Sequence, residues 1–445
     1  MIQSKIAIIG SGPSAFAALA ALKDKNISID IIDAGNTVSD GKKGKSKRKL
    51  VNNSDYVYSD FYDEKVQQDK SVDYINSFAA GGLSNVWGAT VHPKLLKEGG
   101  SKKTFFSLVP LTRIADITKK EIDGLSIDKS IRMGNITVYD SSCLVENIQD
   151  KCRLCSLCLE GCPYRLIWNS SHELSDYRNE GKINYHAKYK CLKLNIEHEK
   201  ITIITSDKSG NQFDFGLYDK VLLATGPLET FRILSKSNIL DSKEAGLDQT
   251  DTFYILVRND ENLKLDNRFG LAQLHLEING EAELWIQLSA FSKSHIKILK
   301  SRFPFLSIFS ENLLMKIFKK YSLGIGYVGV ENSSRLKFIY LDKNLVSIKA
   351  KLVKNRKLIS RVLKENNQDL DKLGLKMLHS TLQVLPVGGG AHYGNLNLNG
   401  ENINSYLEKR NLLDLIEVID LSSVKKVELG PTTVLHMNSI FERFL

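Results

Sequence analysis

Lys5-Ile-Ala-Ile-Ile-Gly10-Ser-Gly12-Pro-Ser-Ala15 is the stretch that decides the fold. The apolar run up to Gly10 reads as a strand buried in a parallel sheet. Gly10 allows a tight turn, and Gly12 leaves the backbone bare enough for a pyrophosphate to approach. Pro13 and Ser14 open an Ala/Leu-rich helical stretch to about Leu22, whose first N–H groups suit an anion. Ala15 is small enough for helix and strand to pack closely. A second strand, residues 27–32, ends in Asp33, an acid placed to bond a ribose hydroxyl. Strand, turn, helix, strand and acid within about thirty residues make a dinucleotide fingerprint rather than a chance glycine loop. The pattern alone does not separate NAD from FAD.

A second motif lies at residues 152–163, C-R-L-C-S-L-C-L-E-G-C-P. Cys152, Cys155, Cys158 and Cys162, followed at once by Pro163, have the C-x2-C-x2-C-x3-C-P spacing of iron–sulfur ligands. Four of the six cysteines fall in this run, so they are not scattered structural thiols. Zinc usually takes two separated C-x2-C pairs. A disulfide framework suits short secreted chains. Here the first strand begins at residue 5, and no secretory segment is expected ahead of it. The expected group is a [4Fe-4S] cluster. In two-cluster ferredoxins the cysteine before proline serves the other cluster, but this chain has no second run. Cys162 therefore closes the same cluster, or Cys143 or Cys191 does so from a distance.

At 445 residues the chain is long enough for two domains with a large core. No run of eighteen apolar residues occurs, so no spanning helix is expected. The cluster motif favours a reducing, cytoplasmic setting. The net charge is +10. Part of it is Lys42, Lys43, Lys45, Lys47, Arg48 and Lys49, which read as a solvated loop or a docking patch. No basic patch is interleaved with aromatics as in a nucleic-acid module, so nucleic acid is not an expected partner. Residues 296–321 mix Ile, Leu, Phe and Met with Lys297, Lys300, Arg302, Lys316, Lys319 and Lys320. They read as basic amphipathic helix, broken at Pro304, that packs on the protein or lies on an inner membrane face.

Along the chain, residues 36–77 are polar, and 78–93 are glycine-rich with one Trp. Residues 192–225 alternate like strands and run into Thr225-Gly226-Pro227, after which Leu228 to Leu234 begins a helix. Leu274, Leu276 and Ile278 before Asn279-Gly280, and Leu284, Ile286 and Leu288 after it, predict a hairpin. Residues 325–350 supply further strands, and about 357–383 reads as one amphipathic helix. The fold class is α/β, a Rossmann-type dinucleotide-binding domain with a second domain of antiparallel sheet and helices. The expected division is 1–95 and 183–250 in the nucleotide-binding domain, 96–182 carrying the cysteines, 251–400 for substrate, and 401–445 returning to the first domain.

Taken together, these segments resemble the glucose–methanol–choline (GMC) oxidoreductases, flavoenzymes that oxidise alcohols and sugars. Gly10 to Ala15 resembles the family's FAD fingerprint. Gly81-Gly82-Leu-Ser84-Asn85-Val86-Trp87-Gly88 resembles its second flavin-contacting loop. Residues 221–234, with Ala224, Thr225 and Gly226, resemble its late strand and helix. Residues 389–394 resemble the segment carrying its catalytic histidine, here His392. Leu429-Gly430-Pro431-Thr432-Thr433 resembles its last motif, which adds Pro431 and Thr432 to the cofactor contacts. The matches span the chain but cover about a fifth of it. Some members also carry a cysteine cluster near the middle. Two departures matter. Val86 stands about where pyranose-oxidising relatives carry a flavin-linking histidine, which implies non-covalent FAD. Gly430 stands where a second catalytic His or Asn is usual, and His436 is out of register.

Alcohol oxidation needs a base for the hydroxyl proton, and a neutral imidazole suits that task. His392 is the candidate, with His92, His379 and His436 as the other histidines near motifs. A cluster that drains electrons singly implies a dehydrogenase, or a reductase run backwards, rather than an oxygen-using oxidase. Its acceptor would be an external protein or a quinone. Two other readings compete: an electron-transfer subunit with catalysis elsewhere, and a degenerate flavoprotein with structural zinc.

Overall fold

The computed structural model describes residues 4–35, 66–85, 87–96, 102–126, 129–146, 152–156, 158, 162, 164–260, 263, 265–302, 304–341 and 345–445. Its organising element is a five-stranded, all-parallel sheet. The strand order is Ile416–Val418, Lys220–Leu223, Ser4–Ile9, Ile27–Asp33, Asn184–Ala187. The fingerprint strand is central, with Ile8 in register with Leu222 on one side and Ile31 on the other. All three side chains are fully buried, as a sheet covered on both faces requires. On one face packs the helix Pro13–Leu22, whose residues from Ser14 onward are all buried. The helix Thr432–Phe444 packs beside it, with Val434, Met437 and Phe441 in the same core. The last strand of the sheet is thus supplied from near the C-terminus of the chain.

Four further sheets are formed among the described residues, the smallest a pairing of Leu111–Arg113 with Ser142–Leu144. Lys190–Glu197, Lys200–Ser206 and Gln212–Tyr218 form an antiparallel meander. A six-stranded sheet shares the second core of the nucleotide half through Leu247, Phe338, Ile348 and Leu396. A seven-stranded antiparallel sheet has its own core, which includes Ile255, Leu276, Ile286 and Leu363. The predicted hairpin lies at its centre. Leu274–Ile278 pairs with Leu284–Ala290, Leu274 opposite Leu288 and Ile278 opposite Leu284. The turn spans residues 279–283 rather than Asn279-Gly280 alone.

One reading needs correction. Residues 357–383 are not one helix. Helices Arg356–Glu365 and Asn367–Lys372 stop at Gly374, which has φ +74, and Leu375–Val384 is a strand at the sheet edge. Leu375 and Met377 alternate into the core beside Ile359, Val362 and Leu363. Apolar spacing there fits both periods, and the left-handed glycine decides between them. The stretch 296–321 is likewise several pieces: Lys293–Arg302, Pro304–Ile308 and Glu311–Ile317, then a turn at Phe318–Lys320. Among the described residues no helix is long and apolar enough to cross a membrane. Val86 and the lysine-rich stretch 42–49 lie outside the described residues.

Candidate active site

A cavity of about 510 Å³ lies between the carboxyl edge of the parallel sheet and the seven-stranded sheet, where open α/β sheets receive ligands. Gly10, Gly12, Pro13 and Ser14 form one wall, with Asp33 at the end of the second strand. Gly10 has φ +99, and a Cβ there would lie 2.5 Å from the Ala224 carbonyl oxygen. Only glycine fits this turn. Gly12 is different: a Cβ built on it meets nothing within 4 Å. That side of the turn faces open cavity, as a pyrophosphate cradle at a helix N-terminus must. Asp33 accepts the Gly35 N–H at 2.9 Å on one oxygen and the Tyr185 hydroxyl at 2.9 Å on the other. Burial pushes its carboxyl up to about 6.

Gly82, Ser84, Trp87 and Gly88 line the cavity from the glycine-rich loop, and Ala224, Thr225 and Gly226 from the turn after Leu223. Pro431 closes it near His392. Four expected contacts stand behind the wall. Ala15 is buried in the helix. The Gly81 N–H donates to Ser11 Oγ at 2.8 Å. Asn85 donates to the Ala80 and Gly82 carbonyls, each at 2.8 Å. Thr432 Oγ1 lies 3.2 Å from His392 Nε2.

Sequence reasoning missed two features of this wall. Asp420 accepts the Gly226 N–H at 2.8 Å and the Thr230 hydroxyl at 2.9 Å, and so clamps the 224–227 turn to the C-terminal segment. The stretch 415–419, apolar except for Glu417 and ending at an acid, was the available signal. Lys190, Glu229 and Arg232 form a buried ionic triad. Glu229 pairs with Arg232, and its other oxygen lies 3.6 Å from Lys190 Nζ. Burial pushes the Glu229 carboxyl up, but the two cations outweigh it and hold the carboxyl below its usual range. Lys190 and Glu229 line the far end of the cavity with Tyr189 and Cys191. Glu229 and Arg232 are an i,i+3 helix pair, but no sequence pattern joins Lys190 to them.

At the other end His392 is half-buried. Its Nε2 lies 2.5 Å from the Gly430 carbonyl oxygen and its Nδ1 lies 2.7 Å from Thr250 Oγ1. A carbonyl only accepts, so Nε2–H donates and Nδ1 accepts from the Thr250 hydroxyl. Burial depresses its pKa to about 4, so the ring is neutral near pH 7. Tyr327 packs against it, ring centroids 4.9 Å apart. Gln287, Ser289, Ile325 and Tyr327 of the antiparallel sheet face it across the cavity. Gly430 has φ +102, and a Cβ there would lie 3.0 Å from the Trp285 ring and 3.1 Å from His92. The space a side chain at 430 would take is thus occupied by His92 stacked on Trp285, centroids 4.9 Å apart. His92 itself is buried and hydrogen-bonded to the Leu429 carbonyl, and burial lowers its pKa to about 4. His436 is tied to the Ile419 carbonyl and His379 to Asn367, both away from the cavity.

Cys152, Cys155, Cys158 and Cys162 stand in electrostatic reach of one another. Burial, reinforced by the neighbouring thiols, raises Cys158 to about 12. Backbone N–H groups point at three of the sulfurs: Leu154 at Cys152 (3.3 Å), Leu166 at Cys162 (3.4 Å) and Gly270 at Cys158. Such N–H···S bonds are what cluster thiolates accept. Among the described residues no three His, Cys, Asp or Glu side chains converge as around a single metal ion. Thiols with backbone N–H groups aimed at three of them are a donor set of the kind cluster ligands use. Cys143 is buried beside the run and within reach of Cys158, Cys152 and Cys162. Cys191 is not: it lines the dinucleotide cavity. The two sites touch, because Gly270 also lines that cavity.

A scan against protein-family models finds no match, and no curated protein matches the sequence. Solved structures do match. The chain is similar to pyridoxine 4-oxidase from Mesorbium loti over 99% of this chain and 98% of that one, with a TM-score of 0.62 at 12% identity. The overall fold is therefore shared from end to end.

Proposed function

We propose that this chain is an FAD-dependent oxidoreductase that oxidises the hydroxyl of an alcohol or sugar. Its electrons leave through a [4Fe-4S] cluster to a protein or quinone acceptor rather than to oxygen. The observation that carries the reading is one cavity with the fingerprint turn at one end and a neutral histidine at the other. Similarity of fold to pyridoxine 4-oxidase supports it. Bound FAD supplies a hydride-accepting ring, and the cluster a one-electron exit.

The rest falls to the chain's own residues. Gly10, Gly12, Pro13 and Ser14 hold the pyrophosphate, and Asp33 accepts a ribose hydroxyl. Gly82, Ser84, Trp87, Gly88, Ala224, Thr225, Gly226 and Pro431 line the binding cleft, with Gly81, Asn85 and Thr432 supporting it. Gln287 and Ser289 offer hydrogen bonds to a polar substrate. His392 takes the hydroxyl proton. For that its ring leaves the Gly430 carbonyl and changes tautomer, Nδ1–H donating to Thr250 Oγ1 so that Nε2 presents its lone pair. Thr250 can serve either tautomer, because a hydroxyl both donates and accepts. Cys152, Cys155, Cys158 and Cys162 ligate the cluster. The engagement of both His392 nitrogens favours one second reading, an electron relay with catalysis elsewhere. Anaerobic mixing with a panel of alcohols and sugars separates the two. Bleaching of the flavin band by one of them supports the enzyme, and no bleaching by any supports the relay.

A further inference from the structure

The segment 293–320 interrupts the seven-stranded sheet between Leu284–Ala290 and Tyr321–Val328, which pair directly with Ala290 opposite Ser322. Its inner face is satisfied. Ile296 and Leu314 are buried with Phe291, and Leu306, Met315 and Phe318 pack against them. Its outer face is apolar as well. Phe305 is 65% exposed, Ile308 80%, Phe309 37%, Leu313 44% and Ile317 53%. These are five of the twelve exposed large hydrophobics among the described residues, gathered within 305–317. Single exposed apolar residues need no explanation, but a cluster does. A short helical piece that is apolar on both sides has a second apolar environment to meet.

The charge around this face names that environment. Residues 291–321 carry seven Lys and Arg against one acid, Glu311. Lys316 and Lys319 are exposed beside Leu313 and Ile317. Ile308, at 80% exposure, keeps most of its side chain in solvent. A fluid hydrocarbon surrounds such a knob without a preformed pocket, whereas a protein partner needs a dedicated one for each. Basic residues flanking protruding Phe, Leu and Ile are the composition of interfacial membrane segments.

We propose that the outer face of residues 304–320 is a peripheral docking surface for an anionic lipid bilayer. Phe305, Ile308, Phe309, Leu313 and Ile317 enter the headgroup boundary, and Lys316 and Lys319 pair with lipid phosphates. Ser294 donates to the Ser156 carbonyl, so this segment is fastened to the cysteine run. The inference stands independently of the redox reading, because it concerns binding alone.

The test is sedimentation of the full, flavin-loaded chain with vesicles of phosphatidylcholine alone and of an equal mixture with phosphatidylglycerol. Binding to the mixed vesicles only, reversed by high salt, is expected. Lys316→Gln and Lys319→Gln should each weaken it about fivefold. Ile308→Ser combined with Ile317→Ser should abolish it. Flavin content and turnover with a soluble dye should not change in these variants, which shows that the fold is intact. Equal sedimentation with both vesicle types, none with either, or wild-type binding by the double serine variant would overturn the proposal. So would a fall in oligomer mass of that variant in the absence of lipid, which would make the face a contact between copies.

Discussion

The dinucleotide half and the cysteine run meet at Gly270, yet they are built in opposite ways. The fingerprint turn rests on parallel strands whose ladders run unbroken through Ile6 to Ile9 on both sides. Its cradle is fixed by backbone geometry alone. The cysteine run has no such scaffold. Leu154 and Ser156 sit at φ 48 and φ 63, a region that side chains other than glycine occupy at a cost of about 1 kcal/mol or more each. Its thiols are buried next to one another, and burial raises the pKa of Cys152 and Cys158. The first site is formed before its ligand arrives. The second is a strained loop of buried, protonated thiols, which a bound cluster would stabilise by taking them as thiolates.

The sharpest way to break this contrast lies in the two glycines of the fingerprint turn. Gly10→Ala places a methyl 2.5 Å from the Ala224 carbonyl at a positive φ, so the fold itself should suffer by about 3 kcal/mol or more. Gly12→Val adds atoms only toward the cavity. It should leave the thermal unfolding of ligand-free protein nearly unchanged and abolish flavin binding. Acid precipitation of wild type should release the flavin to the supernatant, as a non-covalent cofactor must. Flavin bound by Gly12→Val, or retained in the wild-type pellet, would sink the pyrophosphate assignment or the non-covalent one.

For the cysteine run the expected loss is also complete but differently placed. Wild type should hold about four iron and four sulfide per chain after anaerobic purification. Cys152→Ser, Cys155→Ser or Cys158→Ser should remove them while flavin stays. Cys162→Ser and Cys143→Ser decide the fourth ligand, since both thiols stand by the other three. Cys191→Ser should leave iron untouched, because that thiol lines the other site. Zinc in place of iron would return this region to a structural role.

The same contrast explains what was legible beforehand. The fingerprint, the hairpin and the cysteine spacing are local patterns, and each constrains its own neighbourhood. The edge strand Leu375–Val384 was hidden because its apolar spacing also fits a helix. Asp420, Lys190 against Glu229, and Trp285 behind Gly430 are pairings across the chain. No local pattern encodes them. Which residues of the antiparallel sheet face the cavity was equally out of reach. A strand shows its alternation but not which side meets the ligand, so Gln287, Ser289 and Tyr327 went unnamed.

Chemistry at the other end of the cavity should respond by less. His392→Ala should keep flavin and iron but slow flavin reduction by roughly two to four orders of magnitude. Normal reduction would make the chain a relay. With the pKa of His392 depressed to about 4, the imidazole is already neutral above that pH. The reductive rate should therefore rise with pH through about 4 as one ionisation and stay flat toward neutrality. A bell-shaped profile would reveal a second titrating group. Stability has its own signature. The folded-state pKa values of His92 and His392, both about 4, lie below the unfolded value near 6.5. The unfolded chain therefore binds protons first as pH falls. Stability should be full above pH 6.5 and decline toward pH 4, by about 3 kcal/mol for the well-buried His92. His92→Gln should flatten part of that decline.

The smallest effect tests the hydroxyl behind the base. Thr250 Oγ1 is 2.7 Å from His392 Nδ1, on the side away from the Gly430 carbonyl. Thr250→Val keeps the shape and removes the one group able to serve both tautomers. An unmade bond of this kind costs about 1–2 kcal/mol, so the reductive rate should fall roughly five- to thirtyfold. Thr250→Ser should restore it. The valine variant should also move the pH limb of the rate, because Nδ1 loses its partner. A purely structural threonine would lower stability in both variants and leave the pH limb in place.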